Sequence, residues 1–260
     1  SSPLSATACS ISSEVVVLSP LHIVWLCMST RTQPAGSGSA RCGWRAIAAG
    51  AGADTVGNRT WHDRGVRWRP RRKRIMFVTG ASGFLGRHLV AASESGEWEL
   101  FAPASRVLDV RDRARVHEEI GSWRPNVVVH LAYRPDDRRT IVDGTRNVAV
   151  AAAAAGSRLL HMSTDLVFAG RPLPYTEDDE PDATMQYGRW KAEAEREVRE
   201  SGAAALVVRA SLMYGTDHLS PQQHDVEAVL SGRSTLRFFT DEYRCPAHAA
   251  DIAAAMRLLF

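Results

Sequence analysis

Residues 78–86 read VTGASGFLG, with glycines at positions 80, 83 and 86. The apolar run IMFVTG (75–80) predicts a short buried strand that ends in this stretch, and FLGRHLVAASES (84–95) has apolar residues at helical spacing. The first glycine allows a tight turn, the second allows a pyrophosphate to approach the backbone, and the third lets the helix pack on the strand. Because the glycines stand between a predicted strand and a predicted helix, they indicate a dinucleotide-binding turn rather than a plain loop.

The chain after this turn alternates between strand and helix patterns. Further strands are predicted at 98–102, 126–132, 158–163 and 205–211, and helices at 112–122, 140–155 and 185–201. The run NVVVHLA (126–132) is apolar throughout, as expected of a strand buried on both faces of a parallel sheet. Repeated β-α units predict an α/β fold, a Rossmann-type doubly wound parallel sheet that binds ligands at the carboxyl ends of its strands.

The net charge of +3 is an average over two unlike parts of the chain. Residues 1–74 carry eleven basic and three acidic side chains, whereas the remaining residues carry 21 basic and 26 acidic ones. The run RGVRWRPRRKR (64–74) is of a kind that binds phosphates, with Trp68 available to stack on a base. A solvated tail has the same composition, and we favour that interpretation. We expect residues 1–74 to be a disordered or non-native basic leader and expect no nucleic-acid partner.

The cysteines and the apolar segments exclude several classes of protein. The four cysteines, at positions 9, 27, 42 and 245, form no CxxC pair and no zinc-ligand spacing, so we predict neither a disulfide scaffold nor a metal site. The apolar run at 15–28 is shorter than the ~20 residues that span a bilayer. A secretory signal has basic residues before its apolar core, but the first one here, Arg31, follows it. We therefore expect a cytoplasmic protein with no membrane partner.

Tyr187 and Lys191 of YGRWK are candidate catalytic residues. They are four apart on a predicted helix and therefore share one face. An ammonium beside a phenol lowers its pKa, so the tyrosine can exchange a proton with a substrate oxygen while a hydride moves to or from a nicotinamide. An exposed Tyr–Lys pair is the plain alternative. The chain has only two lysines, Lys73 and Lys191, which makes the position of Lys191 notable.

Polar residues end the strand predicted at 158–163. In HMSTDLVFAG (161–170), either Ser163 or Thr164 can hydrogen-bond a reacting oxygen, and Asp165 begins the following loop. The same residues are common turn formers, so ordinary polarity at a strand end is the alternative. The glycine turn, this strand end and YGRWK are far more specific together than any one of them alone.

Together these segments resemble the extended short-chain dehydrogenases/reductases, and among them the dTDP-4-dehydrorhamnose reductase family of sugar nucleotide-binding proteins. The resemblance covers about residues 75–260. It is carried by VTGASGFLG, LDVRD, RPNVVVHLAY, STDLVFAG, YTEDDEP, YGRWK and RASLMYG. It implies an oxidoreductase that reduces a 4-keto nucleotide sugar in dTDP-rhamnose biosynthesis, with NADPH or NADH as hydride donor.

The resemblance also implies which residues form the site. The catalytic set would be Thr164, Tyr187 and Lys191. The cofactor NADP or NAD would lie against Gly80, Ser82, Gly83, Phe84, Leu85, Gly86, Arg106, Asp109, Leu131, Ala132, Tyr187 and Lys191. Asp109 of LDVRD matches the residue beside the adenine ring. Ser105 and Arg106 stand where NAD enzymes carry an acidic residue, which favours NADP through an arginine–phosphate contact.

The sequence departs from the family pattern at several points. Leu166 stands where these reductases usually have tyrosine, and Asp143 stands where they usually have asparagine. The chain stops at Phe260 within a helix predicted to begin near Ala247. We therefore expect a small, truncated C-terminal substrate lobe, formed by about 168–184 and 212–260.

These departures keep two other functions open. One is a catalytically weak NAD(P)-binding regulatory subunit, like that of methionine adenosyltransferase, which belongs to the same family. The other is a related nucleotide-sugar epimerase. Arg209 and Arg244 are candidates for contacts with substrate phosphates, with a structural role as the alternative for each. A homodimer is also compatible with the sequence.

Overall fold

Parallel strands form the centre of the computed structural model, which describes residues 73–94 and 97–260 and the backbone of 23–26. The strands of the main sheet are β1 (Ile23–Leu26), β2 (Arg74–Thr79), β3 (Trp98–Phe101), β4 (Val127–His130), β5 (Arg158–Thr164) and β6 (Ala204–Ala210). Their order across the sheet is β1-β6-β5-β4-β2-β3, and each pair is parallel. The predicted α/β fold with a doubly wound parallel sheet is confirmed.

Helices cover both faces of this sheet. They are α1 (Phe84–Ser93), α2 (Arg113–Trp123), α3 (Gly144–Ala154), α4 (Gln186–Glu200) and α6 (Ala249–Leu258), whereas a further helix, α5 (Pro221–Leu230), has no buried residue. Apolar residues of α1 and α6 form one buried core with alternate residues of the strands, and those of α2 and α3 form a second core on the other face. In the described residues, no helix has the length and apolar character needed to cross a membrane.

Side chains fix the start of two of the helices. The Asp112 carboxylate accepts a hydrogen bond from the backbone N–H of Arg115 and so caps α2. Ser220 and Gln223 form a reciprocal capping box at the start of α5, where Pro221 occupies the first turn.

A π-helical segment, Arg139–Asp143, leads directly into α3. Such segments are rare and often occur near functional sites.

The direction of winding changes next to β2. This strand pairs with β3 on one side and β4 on the other, because the chain runs from β2 through α1 to β3 and then crosses back through α2 to β4. A crevice opens at such a point beyond the carboxyl ends of the strands, and ligands of open α/β sheets bind there. The glycine turn follows β2 and therefore lies at this crevice.

The C-terminal residues form a small separate sheet and one helix that packs against the main sheet. β7 (Met213–Tyr214) and β8 (Ala247–His248) pair in parallel as a separate two-stranded sheet. Buried residues of α6 pack in the same core as α1. The last part of the range expected for the substrate lobe (212–260) therefore lies in the layer of helices that covers the main sheet. The strands β7 and β8 and the helix α5 have no strong periodic pattern of apolar residues in the sequence, and they were not among the predicted elements.

The leader expected at 1–74 falls mostly outside the described residues. The exception is β1, whose backbone pairs with β6 from Ile23↔Val207 to Leu26↔Ala210. This strand comes from the apolar run at 15–28, which is part of the expected leader. The basic run at 64–74 lies outside the described residues except for its last two, of which Arg74 begins β2.

Candidate active site

The glycine turn is shaped by close contacts between backbone atoms. Gly80 has φ +74°, and a Cβ there would lie 2.6 Å from the backbone nitrogen of Ala132. A Cβ at Gly86 would overlap the carbonyl oxygens of Gly80 and Ala81. At Gly83 the nearest atom to an added Cβ is the Gly80 oxygen, at 3.1 Å. The chain's own packing therefore requires the first and third glycines, while a Cβ at Gly83 would make one tight contact and meet no other atom within 4 Å.

The N-terminus of α1 begins at this turn. Gly83 is the N-cap residue, no side chain caps the helix, and the first turn contains no acidic residue. The free N–H groups and the positive end of the helix dipole favour an anion here. Ser82 is exposed beside the turn, and Phe84 is partly buried. Leu85 belongs to the apolar core, so its contribution to a cofactor site is limited to its backbone.

The carboxyl end of β4 forms the opposite side of the crevice. The backbone N–H of Leu131 donates to the carbonyl oxygen of Thr79 at 3.1 Å, which brings Leu131 and Ala132 against the glycine turn. Below them the hydroxyl of Thr79 and Nδ1 of His130 form a buried hydrogen bond of 2.7 Å. The predicted pair Leu131 and Ala132 therefore lies beside the predicted glycines.

Asp109 lies in the loop after β3, and its carboxylate is bound by Arg111, which was not among the predicted site residues. Its carboxylate accepts the backbone N–H of Arg111 at 2.9 Å and the Arg111 guanidinium at 2.7 and 3.0 Å. Hydrogen bonds from the Arg111 side chain lower the pKa of Asp109, so this carboxylate is charged at neutral pH. Arg106 is exposed in the same loop. The spacing DVR, with an acid and an arginine two apart, was the available signal.

The end of β5 separates the two hydroxyl candidates. Successive residues of a strand point to opposite faces. The hydroxyl of Ser163 donates to Oε1 of Glu195 at 2.5 Å and is buried there. Oγ1 of Thr164 accepts the backbone N–H of Leu166 at 3.2 Å and lies 3.3 Å from a carboxylate oxygen of Asp165. Thr164 is therefore the candidate at the strand end, and Ser163 belongs to a buried polar cluster.

Lys191 is buried and points to the same strand. Its Nζ donates to the carbonyl oxygen of Met162 at 2.5 Å, and the residue is 5% exposed. Burial lowers the pKa of Lys191 to about 8, partly opposed by the charge of Glu195. Roughly nine in ten of these side chains would carry the proton at pH 7.

Tyr187 is half-buried one turn earlier on α4, with its ring centre 6.3 Å from that of Tyr133. Burial raises the pKa of Tyr187, and the charges of Tyr133 and Asp165 act in the same direction. The expectation that the Lys191 ammonium lowers the pKa of the phenol is therefore wrong for this structure. The physical reason is that Lys191 is itself desolvated and donates to Met162, so burial dominates at both residues.

A close backbone contact fixes the N-terminal end of α4. A Cβ at Gly188 would overlap the carbonyl oxygen of Leu166, in the turn that follows Thr164. The glycine between Tyr187 and the rest of YGRWK thus lets α4 approach the end of β5. The site needs a glycine at this position, which was not among the predicted site residues.

Both arginines proposed for substrate phosphates bind carboxylates. Arg209 is 1% exposed and forms a bidentate pair with Glu195. Arg244 donates to both carboxylate oxygens of Asp165 at 2.6 and 2.9 Å, so it links the C-terminal segment to the end of β5. Asp143 ends the π-helical segment, and its carboxylate lies 3.8 Å from the guanidinium of Arg138.

Sequence comparison identifies the family to which this arrangement belongs. Residues 73–260 match the profile of the family described as the RmlD substrate binding domain. The chain belongs to this family. The resemblance to dTDP-4-dehydrorhamnose reductases, and through them to the extended short-chain dehydrogenases/reductases, is confirmed.

The individual proteins similar to this chain are of two kinds. The chain is 30% identical over 215 residues to methionine adenosyltransferase 2 subunit beta of Bos taurus, an alignment that covers 72% of this chain and 62% of that protein. It is 28% identical to the spore coat polysaccharide biosynthesis protein SpsK of Bacillus subtilis, covering 71% and 69%. The chain spans about three fifths of the length of the methionine adenosyltransferase subunits that it matches.

Solved structures support the fold and the family. The crystal structure of dTDP-4-dehydrorhamnose reductase from Bacillus anthracis in complex with NADP is similar, with a TM-score of 0.66 and 27% identity. The match covers 74% of this chain and 72% of that one. The proteins similar to this chain therefore include both a dTDP-4-dehydrorhamnose reductase and a subunit of methionine adenosyltransferase.

Proposed function

We propose that this chain is an NAD(P)H-dependent reductase of a 4-keto nucleotide sugar, most like dTDP-4-dehydrorhamnose reductase. The observation that carries the proposal is the position of two sets of groups at one edge of the sheet. The open glycine turn follows β2, and the Tyr187–Lys191 face of α4 packs against the end of β5. These are the groups that a hydride transfer coupled to a proton transfer requires.

The residues present fit a dinucleotide. A Cβ at Gly83 would meet only the Gly80 oxygen, at 3.1 Å, so this backbone has no side chain and few atoms beside it, and the uncapped N-terminus of α1 suits a pyrophosphate. Gly80, Ser82 and Gly83 would hold the phosphates, and Leu131 and Ala132 would line the next part of the crevice. The exposed Arg106 favours NADP, the cofactor in the Bacillus anthracis structure. When bound, the reduced nicotinamide supplies a hydride to the carbonyl carbon.

Tyr187 is suited to supply the proton. Because burial raises its pKa, the phenol keeps its proton throughout the neutral range and can donate it to the carbonyl oxygen as that oxygen gains negative charge. Lys191, whose Nζ donates to the Met162 carbonyl, would supply a positive charge on the same face of α4. Thr164, held by the turn at Leu166, would hydrogen-bond the same substrate oxygen and orient it. Hydride and proton together convert the ketone to an alcohol.

The decisive experiment follows NADPH oxidation with a panel of nucleotide 4-keto sugars, beginning with dTDP-4-dehydrorhamnose. Tyr187→Phe should lower turnover by about 10²- to 10⁴-fold, the usual contribution of an acid-base residue, and should leave NADPH affinity nearly unchanged. Tyr243→Phe is a matched control, because that side chain is 94% exposed. Equal turnover in wild type and Tyr187→Phe would contradict the proposal.

A regulatory subunit is the second candidate, and the similarity to methionine adenosyltransferase 2 subunit beta favours it. This function predicts NADPH binding without oxidation by any substrate of the panel, together with a change in the activity of a methionine adenosyltransferase catalytic subunit. A nucleotide-sugar epimerase would instead change the sugar without net consumption of NADPH.

The cellular setting follows from the main proposal. We propose that the reductase acts in dTDP-rhamnose biosynthesis, in the cytoplasm, on a nucleotide-sugar partner. A homodimer stays a prediction, which sedimentation of the purified chain would test.

A further inference from the structure

A buried ion pair lies directly behind the candidate catalytic face of α4. Glu195 is 0% exposed and Arg209 is 1% exposed. Arg209 donates through Nε to Oε1 at 3.0 Å and through Nη2 to Oε2 at 2.7 Å. Ser163 donates to Oε1 at 2.5 Å, and Arg199 lies 3.7 Å from Oε2. The Glu195 carboxylate therefore ties α4 to both β5 and β6.

Stability alone does not account for this pair. Burying two charges removes their hydration, and apolar residues of similar volume in such a position are often equally stabilising or better. Arg209 is also incompletely satisfied, because in the described part of the chain its Nη1 has no hydrogen-bond partner. The ring of Phe168 lies 5.0 Å from its guanidinium and shields it from solvent. An ion pair kept under these conditions points to a role other than packing.

The Glu195–Arg209 pair is adjacent to Lys191 along both α4 and β5. Tyr187, Lys191 and Glu195 follow one another at intervals of four residues, so they share one face of α4. On β5, the carbonyl that accepts from Lys191 belongs to Met162, and the hydroxyl that donates to Glu195 belongs to the next residue, Ser163. Two consecutive residues of one strand thus hold two consecutive turns of the helix.

We propose that the Glu195–Arg209 pair is a positioning unit for Lys191, which holds the ammonium against the Met162 carbonyl and maintains its charge. Neither residue would touch substrate or cofactor. The consequence for catalysis rests on the proposed reductase function, whereas the effect on Lys191 itself does not.

The groups around Lys191 make Glu195 the source of its charge stabilisation. His161 on β5 and His130 on β4 are fully buried, with ring centres 5.5 Å apart. Burial and the Lys191 charge keep the pKa of both imidazoles low, so they are neutral at pH 7. The Tyr187 phenol is neutral as well. The Glu195 carboxylate opposes the desolvation of Lys191, and Arg209 on β6 limits how strongly it does so.

The chain's lysine content allows a direct test. Only Lys73 and Lys191 are present, so protein labelled with carbon-13 at the lysine Cε gives two resonances. Lys73→Arg assigns them, and in all other samples the Lys73 resonance is the internal control. The pH titration of the Lys191 resonance is measured in wild type, Glu195→Gln, Arg209→Gln and the double variant. This readout needs no substrate and no turnover.

The proposal predicts opposite effects of the two single variants. Glu195→Gln leaves the Arg209 charge uncompensated and should lower the pKa of Lys191 by about one pH unit or more. Arg209→Gln should raise it by a clearly smaller amount, because Glu195 shares a face of α4 with Lys191 whereas Arg209 lies on β6. The double variant, which removes both charges, should lie below wild type but above Glu195→Gln. If a single variant does not fold, the double variant still decides, because a Lys191 pKa equal to that of wild type overturns the proposal.

Kinetics then separates this proposal from the proposed function. If the chain is a reductase, the alkaline limb of the turnover profile should move with the Lys191 pKa in each variant, while a merely structural role would reduce the amount of folded protein without moving that limb. Absence of turnover in wild type, with the predicted titrations intact, would sink the reductase function and leave the positioning role standing. If the variants are active but their Lys191 titrations are unchanged, the positioning role fails and the reductase function stands.

Discussion

The glycine turn and the Tyr187 face of α4 are held in place by different kinds of contact. At the turn, backbone meets backbone: Gly80 lies against Ala132, and Gly86 lies against the turn itself. Behind α4, charged side chains meet in the interior, where Glu195 joins Arg209. One end of the site therefore depends on the absence of side chains, and the other depends on a matched pair of them.

This difference determines how each end should respond to change. A backbone cradle carries no titratable group, so it tolerates changes of charge but not of volume. A buried ion pair tolerates paired replacement but not the loss of one member, because the remaining charge stays buried without compensation. The substitutions below test this contrast.

The largest effect is expected from Glu195→Ala. It would leave Arg209 buried and unpaired, which typically costs about 3–5 kcal/mol of unfolding free energy. Glu119→Ala is the control, since Glu119 pairs with Arg115 at the surface of α2 and such pairs contribute only about 0.3–0.5 kcal/mol. Urea denaturation of both variants provides the measurement. Similar losses in the two would show that burial of the pair has no special consequence.

Gly188→Ala tests the one place where α4 depends on a backbone contact. Its Cβ would overlap the Leu166 carbonyl oxygen, so the helix must shift away from β5, at a cost of about 3 kcal/mol and with loss of turnover. Gly121→Ala, within α2, is the matched control. An added Cβ there meets nothing within 4 Å, so it should stabilise the chain by about 0.5–1 kcal/mol. Thermal unfolding distinguishes the two, and equal midpoints would contradict the contact.

How far each end could be predicted from the sequence follows from the same contrast. The turn depends on residues within nine positions of one another, so the glycine spacing between a strand and a helix was sufficient to predict it. Tyr187 and Lys191 were likewise predicted from helical spacing. Glu195, Ser163 and Arg209 come from three elements, and their meeting depends on strand order and register, which no local pattern contains.

The protonation of the tyrosine could not be predicted for a related reason. The distance along the helix between Tyr187 and Lys191 suggested that the ammonium lowers the pKa of the phenol. Burial, which depends on the packing of α4 against β5 and on Tyr133, acts in the opposite direction and is the larger effect. A spacing gives the neighbours of a group but does not give its exposure to water.

His130 links the two ends and introduces a dependence on pH. Its ring forms a hydrogen bond with Thr79 below the turn and stacks on the ring of His161, which belongs to β5. Burial lowers its pKa to about 3, so below pH 6.5 the unfolded chain binds a proton that the folded chain does not. Stability should therefore fall as the pH decreases from 6.5 towards 3, with about 2 kcal/mol lost by pH 5.

His130→Gln should remove this part of the stability loss at acid pH. His117→Gln, on the exposed side of α2, should not. Urea denaturation at pH 7 and pH 5 gives the difference for each variant. An unchanged difference in His130→Gln would mean that another group causes the acid sensitivity. His161 is the first to examine, since burial also holds its pKa low.

The smallest effect on stability is expected from Gly83→Ala. The residue has an extended backbone, with φ −71° and ψ 175°, and its Cβ would meet only the Gly80 oxygen at 3.1 Å. The unfolding free energy should therefore stay within about 0.5 kcal/mol of wild type, as for most substitutions outside the core. NADPH affinity should nevertheless fall by about tenfold or more, because the methyl group would occupy the space beside the α1 N-terminus. Gly86→Ala should lower stability as well, since its Cβ overlaps the turn. Undiminished NADPH affinity in a folded Gly83→Ala protein would place the dinucleotide elsewhere and would remove the basis for contrasting the two ends.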